Sequence, residues 1–245
     1  MAAETSRRDF FKLAGAAGAA AVLAPGAAEA QEMRPAEPQT AARTPAQPRL
    51  GATPVHQFFT AAEAALVGAM ADRLIPPDVQ WPGAVQIGVV DYIDRQLAGA
   101  YGSGERLYMH GPWKQGSKQQ GYQLPLTPAE LYRAGLADVE AAARLKLGKA
   151  FPEATPDQKD AFLTGLEKGE VKLDHVPGTI FFETLLANTI EGFFCDPIYG
   201  GNRDMAAWRM VGFPGAYSQF VYLVDNHGMH LDRPPIGIGA GHQHG

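Results

Sequence analysis

Large apolar residues recur at helical spacing from Val55 onward, and each run is bounded by residues that start or stop a helix. Thr60 with Glu63 has the pattern of a capping box, after which Leu66, Met70 and Leu74 return every fourth residue until Pro76-Pro77. Val85, Val89, Ile93 and Leu97 share one face and predict a second helix over 84–97, with Asp91, Asp94 and Arg95 largely on its solvated side. Thr127-Pro128-Ala129-Glu130 and Thr155-Pro156-Asp157-Gln158 each place Thr at the N-cap, Pro in the first turn and Glu or Gln three residues on. They predict helices near 128–147 and 156–168, the latter with Phe162, Leu163 and Leu166 turned inward. Between Phe181 and Phe194, Phe182, Leu185, Leu186, Ile190 and Phe193 follow a period near 3.6, the helical repeat. The carboxylates Glu183 and Glu191 interrupt that largely apolar element, and an interface on one flank would explain the excess apolar length. A shorter helix follows Asp204 through Trp208 and ends before Phe213-Pro214-Gly215, while the alternation at 220–224 is too short to choose strand or helix.

Long connections join these elements. Residues 99–127 are rich in Gly, Pro and Gln yet carry Tyr101, Tyr108, Trp113 and Tyr122, the composition of an ordered loop or docking excursion. Such aromatics are compatible with carbohydrate or nucleotide stacking, although protein docking or loop packing is their more general use. Residues 31–54 hold Pro35, Pro38, Pro45, Pro48 and Pro54 among Ala, Gln and Thr, with almost nothing large to bury. They read as an extended linker or an arm wrapped on another subunit. The expected architecture is all-α: one mainly helical domain with long ordered loops over 55–225, preceded by a leader and a linker and followed by a flexible or partner-bound tail over 226–245. A helical hairpin near its start, packed as a separate lobe, is the alternative division.

The first 30 residues change the picture. Ser6-Arg7-Arg8-Asp9-Phe10-Phe11-Lys12 precedes a weakly apolar stretch from Leu13 to Leu23 and then Ala28-Glu29-Ala30, a small-x-small cleavage pattern. This resembles a twin-arginine export signal over 1–30, with Arg7, Arg8 and Phe10 as its signature, read by the twin-arginine translocase. The stretch is too short and too rich in Ala and Gly for a membrane anchor, and no later run reaches about 18 apolar residues. A soluble mature chain in the periplasm is expected.

Composition narrows the partners. Lys and Arg number 21 against 26 Asp and Glu, a formal charge of −5, which leaves no overall basic field for nucleic acid. The single cysteine, Cys195, permits no intrachain disulfide; beside Phe193 and Phe194 it reads as a shielded structural thiol. The run Gly237-Ile238-Gly239-Ala240-Gly241 has no strand before it or helix after it to make a dinucleotide loop. Tyr101-Gly102-Ser103-Gly104 and Tyr199-Gly200-Gly201-Asn202 lack the Lys and Ser/Thr of a phosphate loop. His227, His230, His242 and His244 form no closed ligand set, neither HExxH nor CxxCH occurs, and Ser103 and Ser218 lie in no nucleophile elbow. Asp91 and Asp94 would do acid–base work only inside a pocket, and their flanking pattern favours a solvated face. No catalytic, cofactor-binding or metal-ligating residue is therefore assigned.

A specific motif occupies the C-terminal half. Thr189-Ile190-Glu191-Gly192-Phe193-Phe194-Cys195-Asp196-Pro197-Ile198-Tyr199-Gly200-Gly201-Asn202, continued by Trp208 and Gly212-Phe213-Pro214-Gly215-Ala216, closely resembles the gluconate 2-dehydrogenase subunit 3 family. Ala71-Asp72-Arg73-Leu74-Ile75-Pro76 and Pro82-Gly83-Ala84 resemble its other recognisable segment. The resemblance implies a small non-catalytic subunit of an exported dehydrogenase acting on a sugar, sugar acid or alcohol. It implies a large partner that holds FAD, a multihaem cytochrome c partner that relays electrons, and attachment to the inner membrane through the complex. Asp196-Pro197-Ile198-Tyr199-Gly200-Gly201-Asn202 reads as a shaped turn with a scaffold role or direct contact with the large subunit. Phe193, Phe194 and Trp208 are anchors if exposed and ordinary core if not. A freestanding periplasmic enzyme and a transient export chaperone are the alternatives.

Overall fold

A computed structural model describes residues 55–114, 116–117, 120–217, 225–229 and 233–239. Arg7, Arg8 and Phe10 of the leader, the 31–54 linker, the ambiguous 220–224 segment, and His230, His242 and His244 lie outside the described residues.

Among the described residues six α-helices carry the fold: α1 Ala61–Leu74, α2 Val89–Ala98, α3 Pro128–Leu147, α4 Pro156–Glu167, α5 Gly178–Phe194 and α6 Ala206–Val211. No strand occurs among the described residues; Gly215 and Ile236 form one isolated parallel bridge. The capping boxes at Thr60, Thr127 and Thr155 are all made, each threonine hydroxyl accepting the N–H of the residue three positions on. Gly148, at φ 70°, ends α3 in the left-handed conformation.

α5 is the hub, packing against α1, α2, α3, α4 and α6. Its apolar positions explain why: Phe181, Phe182, Leu185 and Phe193 are buried, as are Val67 and Met70 of α1, Leu131, Tyr132 and Leu136 of α3, and Phe162 and Leu166 of α4. These side chains form one continuous core, so the hairpin near the start is not a separate lobe. Polar groups that enter it are satisfied: Tyr101 donates to Asn188 Oδ1 at 3.2 Å, and Asn188 Nδ2 donates to Tyr132 Oη at 3.2 Å. The first of these bonds also ties the aromatic loop down, whereas Tyr108 and Trp113 farther along it stay exposed.

Two expectations need correction. The second helix starts at Val89, not at residue 84, because residues 84–88 form a tight turn ending at Gly88, whose φ of 94° is incompatible with a right-handed helix. Val85 consequently leaves the inward stripe and is 40% exposed. Asp94 is likewise not on a solvated face. It is 3% exposed, and its carboxylate accepts the backbone N–H groups of Gln57, Phe58 and Phe59 at 2.7, 2.9 and 2.8 Å. A helical wheel reads Asp as outward-facing; the segment before α1 folds over α2 and supplies donors that no periodicity can reveal.

Candidate functional site

The end of α5 and the turn after it form the most constrained part of the chain. The three described non-glycine residues with positive φ, Asn202, Asp204 and Met205, all fall within four positions here. Asn202 is fully buried and its side chain closes the loop: Nδ2 donates to the Cys195 carbonyl at 2.9 Å, and Oδ1 accepts from Ala207 N–H at 3.0 Å. Gly201 lies flat on the helix end, where a Cβ would stand 2.0 Å from the Gly192 carbonyl oxygen. Trp208 Nε1 donates to the Phe194 carbonyl at 2.7 Å, satisfying one of the acceptors a helix terminus leaves free.

Asp196 is buried and uses both oxygens. Oδ1 accepts from Ile198 N–H at 3.0 Å, capping the 3₁₀ turn Pro197–Tyr199, and Oδ2 accepts from Ile238 N–H at 2.6 Å. Ala216 N–H also donates to the Ile236 carbonyl at 2.8 Å. The segment expected as a flexible or partner-bound tail therefore returns to the fold at 236–238.

A second strip of chain completes the site. The Gly88 turn presses on the Gly200 carbonyl, where a Cβ would come within 2.6 Å, and Arg203 N–H donates to the Ile87 carbonyl at 2.9 Å. The Arg203 guanidinium pairs with Asp91, and Asp72 Oδ1 holds Val85 N–H at 2.8 Å. The 72–91 and 196–208 regions are thus one clasp. Beside it opens a cleft of about 590 Å³ whose wall includes His56, Ala65, Gly68, Asp72, Asp91 and Arg203. Asp91, expected on the same solvated face as Asp94, is instead 16% exposed in an ion pair.

Apolar side chains extend outward from the clasp. Phe194, Ile198, Tyr199, Val211 and Phe213 are all exposed, with Phe213 edge-on to Trp208 at 5.1 Å between ring centroids. Cys195 stays within: burial pushes its thiol up to about 11, and Sγ lies 3.4 Å from the Gly192 carbonyl.

A protein-family model described as Gluconate 2-dehydrogenase subunit 3 matches residues 61–215, well over half of the sequence. The chain belongs to the gluconate 2-dehydrogenase subunit 3 family. A second model, TAT (twin-arginine translocation) pathway signal sequence, matches residues 4–24 of this subunit 3 protein. No curated protein and no solved structure gives a match. Among the described residues, no helix of the subunit 3 chain is long and apolar enough to cross a membrane, and no three or more His, Cys, Asp or Glu side chains cluster to hold a metal.

The motif residues singled out from the sequence divide into two groups in this subunit 3 protein. Phe193, Asp196, Asn202 and Trp208 are buried, Gly200 and Gly201 sit in the tight turn, and Pro197 is half-exposed at its start. Glu191, Phe194 and Tyr199 face outward. Sequence reasoning missed Gly88, Asp91 and Arg203 as partners of the motif, since the two strips are more than a hundred residues apart. It also missed Asp94. The one available signal was Gly88 interrupting an otherwise helical stripe.

Proposed function

We propose that this protein is the small, non-catalytic subunit of an exported FAD-dependent dehydrogenase of sugars, sugar acids or related alcohols. It escorts and braces a flavin-bearing large subunit. The observation that carries the reading is the presence, on one chain, of a subunit 3 match over 61–215 and a twin-arginine signal match over 4–24. A translocase that accepts folded cargo can export a signal-less partner already bound to the chain that carries the address. In this reading the large subunit holds FAD and oxidises the substrate, a cytochrome c subunit takes the electrons onward through haem c, and the assembly works in the periplasm at the inner membrane. In this reading the chain divides into leader 1–30, a linker or partner-wrapping arm over 31–54, a helical body over 55–225 and a tail over 226–245.

The clasp supports a scaffold role for the motif. Asp196, Gly200, Gly201, Asn202 and Trp208 are spent on shaping the turn, and the rigid turn presents Phe194 and Tyr199 for docking. Changing Arg7 and Arg8 together to Lys tests the escort role in cells that make the whole complex. The expected result is loss of both this chain and the flavoprotein from the periplasm, with flavin and activity retained in the cytoplasm. Normal export of the flavoprotein would refute the role. A flavoprotein exported but found without this chain in the mature assembly would identify a transient chaperone instead, and turnover by the isolated mature chain would identify an enzyme.

A further inference from the structure

The outward face of α5 has a chemistry that the clasp does not explain. Its exposed residues are Glu183, Ala187, Ile190, Glu191 and Phe194, spaced i, i+4, i+7, i+8 and i+11. That spacing is the stripe by which one helix meets another, here about 16 Å long at 1.5 Å per residue. Ile190 is 46% and Phe194 37% exposed, and Ala187 leaves room for close approach. The apolar surface continues past the helix end through Ile198 and Tyr199.

The two carboxylates select the occupant. Neither Glu183 nor Glu191 takes part in an ion pair among the described residues; Glu191 meets only the Tyr92 hydroxyl, at 3.4 Å. α5 contains no Lys or Arg. A second copy laid on this stripe about a two-fold axis would set carboxylates against carboxylates with no cation between them. An anionic membrane surface would be repelled by the same charges. A helix laid on this stripe has its own backbone N–H groups engaged, so burial of these acids against it is least costly when basic side chains come from the other side. Burial already pushes the Glu191 carboxyl above its ordinary range, as expected of an acid that lacks a cation.

We propose that this stripe seats a helix of the flavin-bearing partner, whose apolar side chains pack on Ile190 and Phe194 and whose lysines or arginines pair with Glu183 and Glu191. The proposal rests on the functional reading above and adds to it a place and a charge pattern for the contact.

The test uses the full chain, tagged and produced together with its dehydrogenase partners, the flavoprotein being recognised by flavin absorbance and mass spectrometry. A photo-crosslinking residue is placed at Ile190, at Phe194, or as a control at Leu145, an exposed position on α3. Crosslinks from 190 and 194, but not 145, to a flavoprotein helix bearing Lys or Arg are expected. Glu183→Lys with Glu191→Lys should lower flavoprotein recovery at least tenfold at unchanged Tm, and reversing the crosslinked basic residues of the partner should restore it. If the double reversal lowers Tm, Glu183→Gln with Glu191→Gln gives the same reading from a milder change. Recovery within twofold of wild type for a folded variant, or crosslinks from 190 and 194 only to a second copy or to lipid, overturns the proposed face while leaving the functional reading intact. A wild-type chain that brings down no flavoprotein overturns the functional reading and the face with it.

Discussion

Replacing Asp94 by Ala removes one buried carboxylate and strands three backbone donors. The Phe59 N–H is buried and those of Gln57 and Phe58 are partly so. An unsatisfied buried donor costs about 1–3 kcal/mol, and the two that water can reach cost about 0.5 kcal/mol each, the low end of the net contribution of a hydrogen bond. The sum is about 2–4 kcal/mol. For a domain of this size 1 kcal/mol moves Tm by about 2–4 °C, so Asp94→Ala should lower Tm by about 4–16 °C. Asp94→Asn keeps an oxygen for Phe58 and Phe59, which share Oδ1, and turns an NH₂ toward the Gln57 donor. It should cost about 1–2 kcal/mol, less than Ala. Thermal and urea unfolding by circular dichroism measure both, and hydrogen exchange should accelerate at residues 57–59 first. A change below about 0.5 kcal/mol for Asp94→Ala is what a solvated helix face gives, and that result would refute the capping role.

Three further outcomes follow from the geometry. Gly201→Ala would drive a methyl group into the Gly192 carbonyl, with no flexible side chain to yield; a loss of about 3 kcal/mol or more in urea unfolding is expected, and a neutral result would show that the turn can shift. The Asp138 carboxylate, 2.7 Å from His175 Nδ1, raises that imidazole above its usual value. A raised histidine adds stability that is complete below its unfolded pKa of about 6.5 and is lost as pH rises through the folded value. His175→Gln should therefore flatten the stability profile above that point, as followed by urea unfolding across pH 6–9. Cys195, with its thiol near 11, should react slowly with iodoacetamide at pH 8 and gain rate steeply toward pH 10–11; rapid alkylation of the folded chain at pH 7 would contradict its shielded position.

How much of this was legible without coordinates depends on the range of the interaction. The Thr-based caps at 60, 127 and 155 are local, three residues long, and the helices they start lie where the pattern places them. α5 begins one turn earlier than its apolar period suggests, because Gly178 and Thr179 carry no large side chain to mark it. The start of α2 was hidden for the opposite reason: Val85 fits the stripe arithmetically, yet the Gly88 turn takes it out of register. The motif could be read as a shaped turn from its Pro, Gly and Asn residues. Its closure by Arg203 on Ile87 and Asp91 could not, since ion pairs across more than a hundred residues leave no periodic trace.

The central position of α5 has a consequence for biosynthesis. A ribosome delivers the arginine pair first and the helix that every other described α-helix leans on among the last. At about 5–20 residues per second, on the order of ten to forty seconds separate the two events. Throughout that interval the body behind the leader has no finished interior, so in the export reading proposed above passage through a transporter of folded cargo would wait on the arrival of residues near 194 rather than on the emergence of the leader.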